Sequence, residues 1–504
     1  MPDRRAPLAV LALALLSPSG PALGLTLDDV AARARELAAS PYRKPSNDLP
    51  PELGKLTYDE YRDIRFLPAK ALWRDTHLPF RVMFFQRGRN YEDRVRISEV
   101  TAGRVAEIPF DPEDFDYGKN ALDRSRLKGL GFAGFRVHYA LNTPTYLDET
   151  LVFLGASYFR ALGRGQRYGV SARGLAVDTA ESGGEEFPRF VEFWIVRPEP
   201  GARQLTILAL LDSPRLAGAY RFVLKPGATT AVEVDARLFA RGEGGKIGWA
   251  PLTSMFYFGA NQRAAREDYR PEVHDSDGLF IHSSQGEWIW RPLQNPRRLL
   301  VTSFALKDPL GFGLMQRERR FERSEDLEAR YDLRPSVWIE PAGKWGAGKV
   351  ELVLLPLPDE TNDNVVAYWV PERPPRPGEP FAFSYRTLWQ KERETRPPLA
   401  WVAQTLRGEG YRRSPGDDVI ELHVDFVGPT LRGVRDADVE GVLWMDPNGR
   451  PVESNTVHNE VTGGRRVVVR FRWIDRGKPV ELRVHLRSDS RILSETWSYV
   501  VAPE

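Results

Sequence analysis

The chain has 504 residues, with 71 Lys and Arg against 69 Asp and Glu, and no cysteine. The charge balance excludes the concentrated basic excess of a nucleic-acid binder. The missing cysteine excludes disulfides, thiolate metal sites and cysteine nucleophiles. Many turn formers (40 Pro, 42 Gly) are mixed with many aromatics (25 Phe, 17 Tyr, 13 Trp), the composition of a β-rich protein.

Read from the start, Arg4 and Arg5 precede an apolar run from Leu8 to Leu16, and Ala22-Leu23-Gly24 supplies small residues at a cleavage position. This is the layout of a secretory signal peptide over residues 1–24. The run is too short for a hydrocarbon core that needs ~20 residues. No later segment is longer, so the mature chain is expected to be soluble and not membrane-spanning. Thr26 to Ala39 predicts an amphipathic helix, with Leu27, Val30, Ala34 and Leu37 at helical spacing and Thr26 as cap. Thr57 followed by Glu60 is a capping box and predicts a short second helix.

Beyond this the helical period fades. Phe80 to Phe85, Arg94 to Ser98, Val191 to Val196, Gln204 to Leu211 and Ala219 to Leu224 read as strands between Gly and Pro turns. No βαβ alternation is present, which argues against Rossmann and TIM architectures. Pro371 to Pro380 and Lys391 to Pro398 read as connectors. After them Leu422, Val424 and Phe426 alternate with polar residues, as do Leu482, Val484 and Leu486, and Asp446-Pro447-Asn448-Gly449 is a turn. Short strands of this kind over about 105 residues suggest an immunoglobulin-like sandwich. The expected division is 25–390 for a large domain, 391–399 for a linker and 400–504 for a smaller domain.

Zinc-helix, P-loop and nucleophile-elbow motifs are absent. Gly163 to Tyr168 is read as a turn, and Asp111 to Asp116 as a solvated loop without calcium-loop spacing. What remains are carboxylates beside aromatics: His274-Asp275-Ser276-Asp277-Gly278, then Glu287-Trp288-Ile289-Trp290, and separately Asp359 to Asn364 between two apolar runs. Glycoside hydrolysis needs two carboxyls flanking the scissile bond, one protonated and one ionised. Aromatic rings offer flat faces to sugars. The plain readings stand beside this. Asp277-Gly278 suits a hairpin turn, Asp359 to Asn364 a solvated loop, and Trp288 and Trp290, two apart, can face one core. Residue types alone do not choose a catalytic pair among 69 acidic side chains.

At these clusters the sequence resembles the periplasmic glucan biosynthesis proteins. The resemblance runs through Tyr61 to Phe66, Gly155 to Gly174, Glu185 to Trp194, Arg270 to Gly278, Gly286 to Leu293, Leu333 to Pro341 and Glu360 to Trp369. It implies an all-β chain, with a large galactose-mutarotase-like β-sandwich followed by a smaller immunoglobulin-like one. It also implies a periplasmic location and a role in making osmoregulated glucans with a β-1,2-linked backbone. An inverting endo-β-1,2-glucanase activity follows from it, with Asp363 as general acid, Asp275 as the base that activates water, and Glu360 tuning the acid. Repulsion from Asp359 and Glu360 is expected to raise the Asp363 carboxyl. Position and chemistry suggest Arg270, Trp288, Trp290, Tyr331 and Trp369 as sugar contacts. No cofactor or metal is expected. The expected partners are β-1,2-glucan and the inner-membrane glucan synthase; the other reading is a non-catalytic factor that receives glucan from that synthase.

Overall fold

A computed structural model describes residues 24–45, 48–242, 245–408 and 419–503. The expected leader lies outside the described residues, apart from Gly24. Among the described residues, thirty-three strands stand against three α-helices, so the chain is all-β. No described helix is long and apolar enough to cross a membrane.

Two large sheets pack face to face. A ten-stranded sheet begins with Phe80–Gln86, Phe132–Thr143 and Tyr146–Leu154; it continues through Tyr158–Ala161, Ser171–Arg173 and Ile247–Ser254 to Val365–Pro371, Ala347–Leu354 and Leu300–Lys307. A fifteen-stranded sheet faces it. The core between them is strongly aromatic: Phe153 meets Phe193 and Phe222 across the gap, and Trp249 stacks on Phe383 at 4.6 Å. Offset and edge-to-face rings of this kind add to the burial of their large apolar areas.

The helix Leu27–Ala38 explains why one central strand reads as nearly continuous apolar sequence. Thr26 closes a capping box with Asp29, and the helix buries Val30, Ala31 and Ala34 against Trp194, Leu208 and Leu210. The strand Arg189–Val196 is therefore covered on both faces, by the aromatic core and by this helix, and loses the alternation of a half-exposed strand. The short helix Tyr58–Asp63 has the expected Thr57–Glu60 box. The expected strands before residue 225 all form, within a few residues of the expected bounds.

The C-terminal part builds a second core. One layer is a four-stranded sheet in the order Trp401–Gly408, Val419–Val427, Gly464–Trp473, Gly449–Asn459. The alternation of Leu422, Val424 and Phe426 aims these side chains inward to meet Leu482, Val484 and Leu486. Residues 391–399 carry no helix or strand, yet hydrogen bonding does not stop there. Thr496–Val501 pairs in parallel with Trp288–Pro292, so the fifteen-stranded sheet runs unbroken from the large sandwich into the second layer of the small one. Phe280, Trp290, Met315 and Trp338 of the large sheet are part of the second core.

Candidate functional site

The segment 355–364 leaves the strand Ala347–Leu354 and returns into Val365–Pro371. Its anchor is Asn364, which is 1 % exposed. The Asn364 side-chain oxygen accepts from the Phe256 N–H at 2.8 Å, and its amide donates to the carbonyls of Phe256 and Leu355, each at 3.1 Å. Phe256 is in turn the ladder partner of His274. One buried amide thus ties the residue after Asp363 to the strand that precedes Asp275, and brings into one site two carboxylates 88 positions apart in the sequence.

Asp363 opens into a cleft of about 520 Å³ lined by Tyr91, Tyr158, Arg160, Arg173, Phe187 and Asn362 among others. Crowding by protein atoms pushes its carboxyl above the ordinary value, against the pull of Arg160, Arg173 and Arg334. Asp275 is 5 % exposed and ion-paired with Arg334. Its carboxyl is pushed up to about 6; burial is the main cause, opposed by Arg334 and assisted by the charge of Asp363. Asp275 thus feels the Asp363 charge, and the two acids share Arg160 and Arg334 as neighbours. Burial disfavours the charged form of a carboxyl, and displaced acidity of this kind clusters at functional sites, as it also does in structural ion-pair networks.

Below Asp275 the polar groups are closely paired. His274 stacks on Phe256 at 5.4 Å between ring centroids. Its ring nitrogens are 2.9 Å from Gln316 Oε1 and 2.9 Å from Glu272 Oε2. Arg323 Nε donates to Glu272 Oε1 at 2.8 Å. Burial pulls the imidazole down, but Glu272, Asp277 and Gln316 together leave His274 above its ordinary value. Asp277 accepts the backbone N–H groups of Arg317 and Glu318, at 3.0 and 2.9 Å. Gly278 starts the strand Gly278–His282 and not a hairpin turn; a Cβ there would sit 2.1 Å from the Trp290 ring.

Tyr331 is buried beside this group, with the Arg334 guanidinium 4.4 Å from its ring centre. Burial raises its phenol, and Glu360, Asp275 and Arg270 all act on it. Glu360, expected to tune the acid, is not among the charges that displace the Asp363 carboxyl. It accepts two hydrogen bonds from Arg270, at 3.0 and 2.7 Å. Arg270 also holds Asp268 and Asp326, so it clamps three segments together and is not a free sugar donor. Asp359 accepts the Thr361 N–H at 2.9 Å within its own loop. The Asp363 carboxyl is raised as expected, but burial is the cause, and the like charges of Asp359 and Glu360 are not.

The three tryptophans chosen as sugar contacts lie elsewhere. Trp369 is fully buried in the main core, 6.0 Å from Trp345. Trp290 is 4 % exposed, with Arg317 3.6 Å above its ring. Trp288 stacks on His282 at 3.6 Å and packs against the second core. The plain reading, two tryptophans on one core face, describes the pair. The aromatic faces at the cleft belong instead to Tyr91, Tyr158 and Phe187, the last 49 % exposed. Arg160 and Arg173 were also not singled out from sequence. Tyr158, Arg160 and Arg173 all lie within Gly155 to Gly174, and that stretch was the available signal. Arg173 donates to Thr253 at 2.9 Å and to Glu185 at 2.6 Å, and lies 4.8 Å from the Tyr158 ring centre.

The comparison with known proteins agrees with this arrangement over nearly the whole chain. The family described as periplasmic glucan biosynthesis protein, MdoG, matches residues 25–501. The chain belongs to that family. A curated relative from Ralstonia nicotianae, named glucans biosynthesis protein G, is 57 % identical over 98 % of this chain and 99 % of its own length. Proteins of the same name from Pseudomonas aeruginosa and Serratia proteamaculans are 48 % and 47 % identical, over 96 % and 95 % of this chain and 94 % of each relative. The family match begins next to the end of the expected leader and spans both sandwiches, so cleft and C-terminal part are inherited together. Among the described residues no cluster of His, Asp and Glu has the makings of a metal site.

Proposed function

We propose that this protein works in the periplasm on β-1,2-linked glucan during glucan biosynthesis, and does so as an inverting endo-β-1,2-glucanase. The observation that carries the hydrolytic part is the pair of carboxyls displaced upward by burial, Asp363 open to a cleft and Asp275 behind it. The family description supports the periplasm and the glucan. In this reading Asp363 gives its proton to the leaving glycosidic oxygen. A water attacks the anomeric carbon from the opposite face, and its proton passes to Asp275 through further water, because Asp275 is not on the cleft surface. An upward-shifted acid keeps its proton closer to neutral pH, while a base near 6 is largely ionised there. Tyr158 and Phe187 offer faces to the sugar rings. Glu360 and Arg270 position the loop that carries the acid. The division at 391–399, the mutarotase-like reading of the large sandwich and the immunoglobulin-like reading of the small one belong to the same proposal.

A second reading is favoured by one fact: the relatives are named for biosynthesis and not for hydrolysis. It makes the cleft a non-catalytic receiver of glucan from the membrane synthase. Incubating the chain from Leu25 onward with linear β-1,2-glucan separates the two. New reducing ends of inverted configuration support the hydrolase. Rearranged chains without new ends mean transfer, and unchanged glucan with measurable affinity means the receiver.

A further inference from the structure

A groove of about 950 Å³, larger than the acid-bearing cleft, lies between the run Arg317–Arg320 and the four-stranded C-terminal sheet. On the strand Trp401–Gly408, Val402 points into the second core, while the half-buried Trp401 turns out of it and lines the groove. The same groove is lined by Val457, on the strand Gly449–Asn459 of that sheet, and by Val461 beyond it, which are 46 % and 95 % exposed. The Arg396 guanidinium lies 4.8 Å from the Trp401 ring centre, and beside this pair the two valines leave apolar surface open.

The charges say what the groove takes. Each of its five arginines ends on a carboxylate: Arg317 on Glu495, Arg319 and Arg396 on Glu394, Arg320 on Glu318, and Arg466 on Asp425. Glu394 takes two of them and Glu460 lines the same groove, so five arginines stand with five carboxylates and leave little net field to draw an anion. Of the other polar side chains, His458 Nδ1 lies 3.1 Å from Asp436 Oδ1, and Gln404, Asn459 and Thr462 are neutral. Gln404 gives an amide N–H to Asp425 Oδ2 at 2.7 Å and keeps a carbonyl acceptor. The Thr462 hydroxyl accepts from the Gly464 N–H at 3.2 Å and keeps a proton to donate. An aromatic face, apolar flanks and neutral donors and acceptors suit a neutral polyhydroxylated chain.

We propose that this groove is a second, non-catalytic binding site for a segment of the same neutral glucan. The inference rests on the glucan reading of the cleft. It goes beyond that reading by assigning the C-terminal sandwich a substrate-holding role. The groove adjoins the segment of the candidate base: the backbone N–H groups of Arg317 and Glu318, two residues that line it, also hold Asp277, two residues from Asp275. A chain long enough to engage both sites gains affinity from the second contact by effective concentration.

The test is calorimetric titration of linear β-1,2-glucan into the full chain carrying Asp363→Asn, which prevents turnover. Two classes of site are expected. Trp401→Ala should remove one, with a loss of about tenfold or more in its affinity. Val461→Asp, at a position too exposed to disturb folding, should weaken the same class severalfold. Phe187→Ala should weaken only the other. A single class that responds to Phe187 but not to Trp401 or Val461 would overturn the second site and leave the cleft reading intact. Absence of binding in every variant would remove the glucan reading and this site with it. If Trp401→Ala fails to fold, Val461→Asp decides, and an unchanged titration with it overturns the proposal.

Discussion

Asp363 and Asp425 are the same residue type, both hemmed in by protein and both beside arginine, yet they have opposite acidity. Asp425 in the C-terminal sandwich is 1 % exposed and takes both hydrogen bonds of Arg466, each at 2.7 Å. Burial alone would raise its carboxyl, but Arg466 and Gln404 hold it below the ordinary value. Asp363 in the cleft feels three arginines, but their hydrogen bonds go elsewhere: Arg160 to Ser171, Arg173 to Thr253 and Glu185, Arg334 to Asp275. Its carboxyl stays above the ordinary value. A charge-assisted hydrogen bond fixes a carboxylate in its ionised form; a cation at one remove does not. The first arrangement builds structure and the second leaves a proton available.

The comparison can be broken at several points. In the cleft, Asp363→Asn should lower the rate of β-1,2-glucan hydrolysis by about 10²- to 10⁴-fold, the usual contribution of a general acid, with unchanged circular dichroism. In the core, Trp369→Ala should cost about 3–5 kcal/mol of stability in urea unfolding, as a packed ring and not a sugar contact. In the C-terminal sandwich, Asp425→Asn should cost about 1–3 kcal/mol by stranding Arg466, with kcat for hydrolysis unchanged. The sign with pH follows from the depressed carboxyl. Its stabilisation is present above the unfolded value and lost as pH falls through the folded one. The gap between parent and variant in urea midpoint should therefore narrow from pH 7 to pH 3.

Arg334→Gln sharpens the contrast from the other side. Arg334 pulls down an Asp275 carboxyl that stands at about 6, so its removal should move the acid limb of the rate profile to higher pH. The readout is kcat/KM against pH. Smallest of all is Glu360→Gln. Glu360 is exposed and paired with Arg270, and a surface pair of this kind is worth about 0–1 kcal/mol. The loss of activity should stay within about fivefold.

Much of the fold was legible because local rules and tertiary packing agree. The Thr26 and Thr57 caps, the alternation at Leu422 to Phe426 and the apolar run at Val191 to Val196 all state their setting in a few residues. Continuity of the large sheet into the C-terminal part was not legible. It depends on a parallel pairing of Ile289 with Thr496, more than 200 positions apart, and no local pattern encodes it. In the site, residue type and resemblance pointed to Asp275 and Asp363. The setting of the tryptophans was not legible, because composition does not say which face of a strand is covered. Trp288 and Trp290 alternate as an outward-facing pair would, but a second sandwich covers that face. For Glu360, adjacency in sequence is not adjacency in charge: Arg270 draws its carboxylate into its own pair.

The central claim is that burial, and not a neighbouring carboxylate, keeps the cleft acid poised, and that Asp363 is that acid. The most direct test is reducing-end release from linear β-1,2-glucan by the parent, Asp363→Asn and Glu360→Gln side by side at neutral pH. The account predicts steady release by the parent and by Glu360→Gln, and almost none by Asp363→Asn. Full activity in Asp363→Asn, or a loss in Glu360→Gln as deep as that in Asp363→Asn, would contradict it.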